Sequence, residues 1–261
     1  MGERGNSAAR RAKLRRRRAA RVAGIGVGML AIVGLAFAGS QEKSQEPTGA
    51  EAPVEPTLPD GCEQRELDLD PPRRYGAPEA VLRPGRDYRA VLHTSCGDVV
   101  LDLFEDEAPE NVNSFLFLAQ RGFYDGLPWH RVEGDSVIQN GDPNGRNLDP
   151  PDGPGYTVDD ETASAHFDRY VYGVVGMANA GEDTAGSQFF IVTHDPEGAA
   201  EGAGEPAGFR PDYTIIGRVP QSSWDVLERI ASVDTRGGID AVEAVRPVLP
   251  VVIDSVDIRA R

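Results

Sequence analysis

Two cysteines and four histidines among 261 residues are a thin supply of metal ligands. His93, His130, His166 and His194 show no ligand-like spacing, so a zinc-type site is not expected and no metal or other cofactor is assigned. Hydrolytic machinery is missing as well. Gly186-Ser187-Gln188 is not a Gly-x-Ser-x-Gly elbow, and no Asp–His pair is spaced to serve Ser187. There is no internal repeat. Positive charge is scarce outside one end: residues 1–21 hold nine Lys/Arg against one acid, about +8, which leaves −23 for the rest of a chain whose total is −15. A basic head on an acidic body argues against nucleic acid as a partner, because the folded domain of such a binder would be the basic part.

The basic tail (1–21) leads into a run without charge, Val22–Ala38, 17 residues long. That is the short limit for a transmembrane helix and slightly more than a usual signal-peptide core. Arg15-Arg16-Arg17-Arg18 and Arg21 would keep the N-terminus in the cytoplasm. Two readings stand, a single-pass anchor or a signal peptide cleaved after Ala36-Phe37-Ala38, and both place the acidic body outside the cytoplasm. Residues 39–86 are rich in Pro, Glu and Gly, with few aromatic or β-branched residues, and read as an extracytoplasmic linker. In an exported protein Cys62 and Cys96 read as a disulfide, the alternative being two unrelated thiols.

The folded body is expected over 87–261. Tyr88–Thr94 and Val99–Phe104 alternate as strands around the turn Ser95-Cys96-Gly97-Asp98. Pro109 opens a helix, with Glu110 in its first turn; Val112, Phe115, Leu116 and Ala119 form its apolar stripe, and Gly122 stops it. A second helix is capped by Ser222 or Ser223 and carries Val226, Leu227 and Ile230 inward. Further strands are expected near 137–139, 170–175, 188–192, 213–219 and 251–258, with loops over 144–154 and 196–211. Many short strands and two helices imply a mainly β, closed structure.

Two stretches carry the chemistry. Residues 176–191 (GMANAGEDTAGSQFFI) run from a strand end through a small-residue loop into a second strand, where Gln188, Phe190 and Val192 share one face and Phe189 and Ile191 the other. Residues 126–143 (GLPWHRVEGDSVIQNGDP) place Val137 and Gln139 on one strand face and supply Arg131. Trp129-His130-Arg131-Val132, Gln139-Asn140-Gly141-Asp142, Met177–Gly181 and Gly186–Ile191 together resemble the cyclophilin family of peptidyl-prolyl cis–trans isomerases, over about Tyr88 to Arg261.

The resemblance implies an eight-stranded antiparallel β-barrel capped by two α-helices, with a groove on its outer face that takes proline-containing unfolded or folding polypeptides. It implies Arg131 and Gln139 as the catalytic pair. Ala178 and Asn179 would hold the substrate main chain, and Phe190, Val137, Tyr213 and Phe209 would line a proline pocket. Gln188 would support that face. The family has Pro-Gly-Phe where this chain has Gly134-Asp135-Ser136, so Ser136 would leave one wall small and polar and weaken any cyclosporin-like inhibitor. Tyr213, Phe209 or Tyr156 are candidates to fill that gap. Asn140 replaces a common Gly, and the family's Trp after Phe-Phe-Ile has no clear match. An isomerase of exported proteins and a proline-segment binder with little turnover are the two functions that fit.

Overall fold

The structure is a computed structural model describing residues 55–67, 69, 73–145, 153–162, 170–194 and 213–261. They belong to one compact unit, Pro53–Arg261. The basic tail, the apolar run 22–38 and Phe209 lie outside the described residues, and among the described residues no helix is long and apolar enough to cross a membrane.

Eight strands form one antiparallel sheet. They are β1 (Tyr88–Thr94), β2 (Gly97–Leu103), β3 (Arg131–Glu133), β4 (Val137–Asn140), β5 (Val174–Met177), β6 (Phe189–Val192), β7 (Ile215–Arg218) and β8 (Ile253–Ala260). Their spatial order is β3-β4-β6-β5-β7-β2-β1-β8, curled into a half-barrel. The two ends of that order are linked by main-chain bonds at the start of the edge strands: Trp129 N–H donates to Val251 O and Gly126 N–H to Ile253 O. The long β1–β2 and β1–β8 ladders follow the alternation read from sequence, with Ala90, Leu92, Val99 and Leu101 buried.

The central strands β4, β5 and β6 are buried on both faces. Alternation there sorts side chains between two clusters rather than between core and solvent. Ile138, Val175, Phe189 and Ile191 join the main core, while Val137, Val174, Phe190 and Val192 join a smaller cluster with Tyr170 and Ile215. Helix α1 (Pro109–Gln120) buries its Val112, Phe115, Leu116 and Ala119 stripe in the main core. Its first amides are satisfied from far along the chain: Glu161 Oε1 accepts from Glu110 N–H at 3.1 Å and Oε2 from Asn111 N–H at 2.9 Å. A carboxylate at that end also meets the positive pole of the helix dipole. Gly122, at φ +65, ends the helix as expected.

Helix α2 (Trp224–Ala231) comes after a 3₁₀ turn, Gln221–Ser223, and is joined by a short helix α3 (Ala241–Ala244) absent from the sequence expectation. Ser223 sits at the N-cap of α2 yet makes no side-chain cap bond. Its Oγ instead accepts from Val100 N–H at 3.2 Å, since β7 pairs with β2 only at Asp102 and Leu103 and leaves that amide to be satisfied otherwise.

The second part of the segment expected as linker lies on the body as a strap. Leu58, Cys62, Leu69, Tyr75, Val81 and Leu82 each put an apolar side chain against the main core. Cys62 is bonded to Cys96 in the β1–β2 turn, so the expected disulfide is present. Asn113 on α1 accepts from the amides of Val81 and Leu82 at 2.8 and 3.1 Å and donates to Glu79 O at 3.0 Å. Arg65 pairs with Asp254 at 3.1 Å, and the Tyr75 ring meets Phe117 edge-on at 5.1 Å.

Candidate active site

Strand register alone gathers the residues singled out from sequence. Arg131 on β3 lies opposite Gln139 on β4, Gln139 opposite Phe190 on β6, Phe190 opposite Gly176 on β5, and Gly176 opposite Ile215 on β7. Directly opposed residues share a sheet face, so this is one continuous row on one surface. The row above it begins Glu133, Val137, Val192.

The polar end of the row is a directed chain of donors. Arg131 Nη1 donates to Gln139 Oε1 at 3.2 Å, and Gln139 Nε2 donates to Gln188 Oε1 at 2.7 Å. Because the guanidinium can only donate, it fixes the orientation of the first amide, and that amide fixes the second. Gln139 and Gln188 are buried; Arg131 is about one-third exposed at 35 % and faces outward. On its other side Arg131 Nε and Nη2 both lie 2.8 Å from Glu133 Oε1.

Gln188 Nε2 and both ring nitrogens of the buried His130 make no hydrogen bond within the described residues. Burial, and then the charges of Arg131 and Arg246, push the His130 pKa down to about 3, a shift only partly offset by Gln188. The ring is therefore neutral at ordinary pH and adds no second positive charge behind Arg131.

The apolar end is aromatic. A Cβ on Gly176 would stand 2.5 Å from Phe190 Cζ, so the ring lies directly over that glycine. Tyr213 meets Phe190 edge-on with centroids 5.3 Å apart. Tyr170 lies 6.2 Å from both rings; its hydroxyl donates to Tyr213 O at 3.1 Å and accepts from Tyr213 N–H at 3.2 Å. Tyr156 is elsewhere, against the main core with its hydroxyl 2.9 Å from Ser114 Oγ, and does not fill the expected gap. Ser136 lies in the β3–β4 turn, its amide donating to Glu133 O and its carbonyl accepting from Thr193 N–H.

The small-residue loop forms a ledge after β5. Ala178 N–H donates to Gln188 O at 2.9 Å. Asn179 Nδ2 donates to Asp160 Oδ1 at 3.2 Å. Asp160 and Asp183 exchange bonds, each amide donating to the other's carboxylate, and Asp183 is the described non-glycine residue with positive φ, at +59. Glu133, Asp160 and Tyr170 are the residues sequence reasoning missed. Only Glu133 left a local trace, since a residue two places after Arg131 on a strand shares its face. A separate cavity of about 340 Å³, lined by Asp87, Asp102, Glu105, Asp106 and Arg261 among others, contains none of these groups.

Residues 89–258 match the family profile described as cyclophilin type peptidyl-prolyl cis-trans isomerase. The chain belongs to this family. A Staphylococcus epidermidis relative named as a peptidyl-prolyl cis-trans isomerase is 33 % identical over 190 residues, covering 66 % of this chain and 92 % of the relative. A Streptococcus pyogenes protein named as a bifunctional phosphatase and peptidyl-prolyl cis-trans isomerase is 34 % identical over 192 residues, covering 65 % of this chain and 38 % of its own length. The fold is shared with a crystal structure of a cyclophilin-type isomerase from Cryptosporidium parvum, with TM-score 0.53, 24 % identity, and coverage of 67 % of this chain and 99 % of that one. This cyclophilin is thus a peptidyl-prolyl cis–trans isomerase, as its motifs implied.

Proposed function

We propose that the row Arg131–Gln139–Phe190 is the catalytic groove of an isomerase acting on X–Pro bonds of exported polypeptides as they fold. The observation that carries this reading is the fixed register that sets a one-third-exposed guanidinium in one row with an aromatic cluster, with buried amides behind it. The barrier to be lowered is about 18–20 kcal/mol of amide resonance, and no bond to substrate is made or broken. As the amide twists, the prolyl nitrogen becomes pyramidal and accepts a hydrogen bond. Arg131 supplies it, from a group that never gives up its proton. Such a donor acts on charge present only in the twisted state, so it accelerates rather than merely binds.

Gln139 bonds the substrate main chain and orients Arg131, with Gln188 supporting it. Ala178 and Asn179 pair with the peptide backbone along the ledge. Phe190, Val137 and Tyr213 receive the proline ring, and Tyr170 joins them; Ser136 leaves the adjoining wall polar and lowers affinity for a cyclosporin-like inhibitor. A C. parvum cyclophilin was crystallised in the presence of the dipeptide Ala-Pro, which fits a proline-directed groove here. Export is supported by the disulfide between Cys62 and Cys96, which persists in oxidising compartments, and by the basic head before the apolar run. The body then lies outside the cytoplasm on a single-pass anchor or, after cleavage near Ala38, free.

Exchange spectroscopy on an X–Pro peptide tests the reaction. Arg131→Ala should lower kcat by about 10²-fold, the usual loss for one transition-state donor, with the fold intact. Wild-type exchange in that variant overturns the role, and tight binding by the native protein without exchange would make it a binder of proline segments. Protease added to intact spheroplasts should digest or release the body; full protection without lysis reverses the topology.

A further inference from the structure

We propose that Glu133 is a positioning residue for Arg131, holding the guanidinium at the angle from which it can reach a twisted X–Pro amide. The inference rests on Arg131 being the donor. Glu133 is the last residue of β3, two places after Arg131 and on the same face. Its own backbone is fixed, since Ser136 N–H donates to its carbonyl at 2.7 Å and its strand partner is Val137.

A guanidinium carries five N–H donors in a rigid plane. One Glu133 oxygen lies 2.8 Å from both Nε and Nη2, and Gln139 Oε1 takes one hydrogen from Nη1 at 3.2 Å. That leaves one N–H on each terminal nitrogen for a ligand. Gln139 alone would let the plane swing about a single hydrogen bond. Two contacts on opposite edges remove that freedom before substrate arrives.

A carboxylate at this distance also offsets part of the arginine's charge, which would act against catalysis. Orientation and charge therefore predict opposite signs. Glu133→Ala removes both effects, whereas Glu133→Gln keeps an acceptor oxygen and removes only the charge. If positioning dominates, Glu133→Ala lowers kcat about fivefold with KM changed less than twofold, and Glu133→Gln recovers most of the loss.

The experiment is exchange spectroscopy on the full chain with an X–Pro peptide for both variants, beside Arg131→Ala, with side-chain NMR of the Arg131 Nε–H group. In the native protein that hydrogen is held and its resonance should be sharp; Glu133→Ala should broaden it by faster exchange with water, and Glu133→Gln should restore it. An unchanged or raised kcat in Glu133→Ala, or an Nε–H resonance indifferent to Glu133→Ala, overturns the proposal. Should Glu133→Ala fail to fold, a Glu133→Gln protein whose Nε–H signal and kcat both fall as far as those of an unpaired arginine overturns it as well. Native-like exchange in Arg131→Ala would instead remove the reading of Arg131 itself, and this inference with it.

Discussion

Reducing the Cys62–Cys96 bond perturbs the folded body without changing a side chain elsewhere. The two cysteines are 34 residues apart. For a loop of that length the chain-entropy relation gives about 3.8 kcal/mol of stabilisation, through the unfolded chain. In a domain of this size about 1 kcal/mol moves Tm by 2–4 °C, so full reduction should lower Tm by about 8–15 °C. The figure is an upper bound for a structural reason. The strap has its own holds, among them Asn113 on the amides of Val81 and Leu82 and the Arg65–Asp254 pair, and none of them is covalent. If the reduced strap lifts before the half-barrel melts, the sheet loses less than the full loop term, and Val81 and Leu82 amides lose exchange protection first. Calorimetry with and without a phosphine reductant, with hydrogen exchange at those amides, measures both. Serine at position 96 is a poorer perturbation, because Cys96 is fully buried and a hydroxyl there would need a partner. A reduced protein melting within about 2 °C of the oxidised one would refute the reasoning.

Ser136→Phe should lower KM for X–Pro peptides with kcat little changed, since a pocket wall touches the proline ring in ground and twisted states alike. The gain should be about threefold, well below what full burial of an aromatic ring allows, because Tyr170 and Tyr213 already crowd Phe190; an unchanged or higher KM means those rings close the pocket. His93 stands 2.8 Å from Asp98 and 3.2 Å from Asp257, and these bonds, Asp98 first, raise its pKa above the usual value. A raised folded pKa contributes stability that is complete below the unfolded pKa of about 6.5 and fades as pH climbs through the folded one. The native protein should thus exceed His93→Gln in unfolding free energy by up to about 1 kcal/mol at pH 6, limited by solvent screening, and lose that margin by pH 9. A margin independent of pH would rule the ion pairs out as its source.

Much of the sheet was legible because its strands are short apolar runs bounded by turn residues and its α1 stripe is regular. The candidate site was legible only strand by strand: counting in twos puts Val137 with Gln139 and Phe190 with Val192, while the row of Arg131, Gln139 and Phe190 comes from pairing across strands. The features that escaped are held by contacts distant in sequence. Glu161 caps a helix 50 residues before it, and Asp160 holds Asn179 across 19 residues. The strap escaped for another reason. Its apolar residues are spread thinly among prolines, too sparse for any periodicity, and pack on the main core. Ser223 shows the reverse error, a sound cap residue whose hydroxyl was claimed by an unpaired strand amide.

The crosslink also decides how the sheet bears mechanical load. β1 and β8 run antiparallel, with Thr94 opposite Ile253 at one end and Tyr88 opposite Ala260 at the other. Without the bond, tension from upstream would enter β1 at Tyr88, beside the C-terminal end of β8, and peel the ladder apart one rung at a time. With Cys62 bonded to Cys96, tension enters just past Thr94, at the opposite end of that ladder. Force drawn out through the end of β8 then loads the rungs together in shear, and residues 63–95 are enclosed in a covalent loop that cannot be drawn straight.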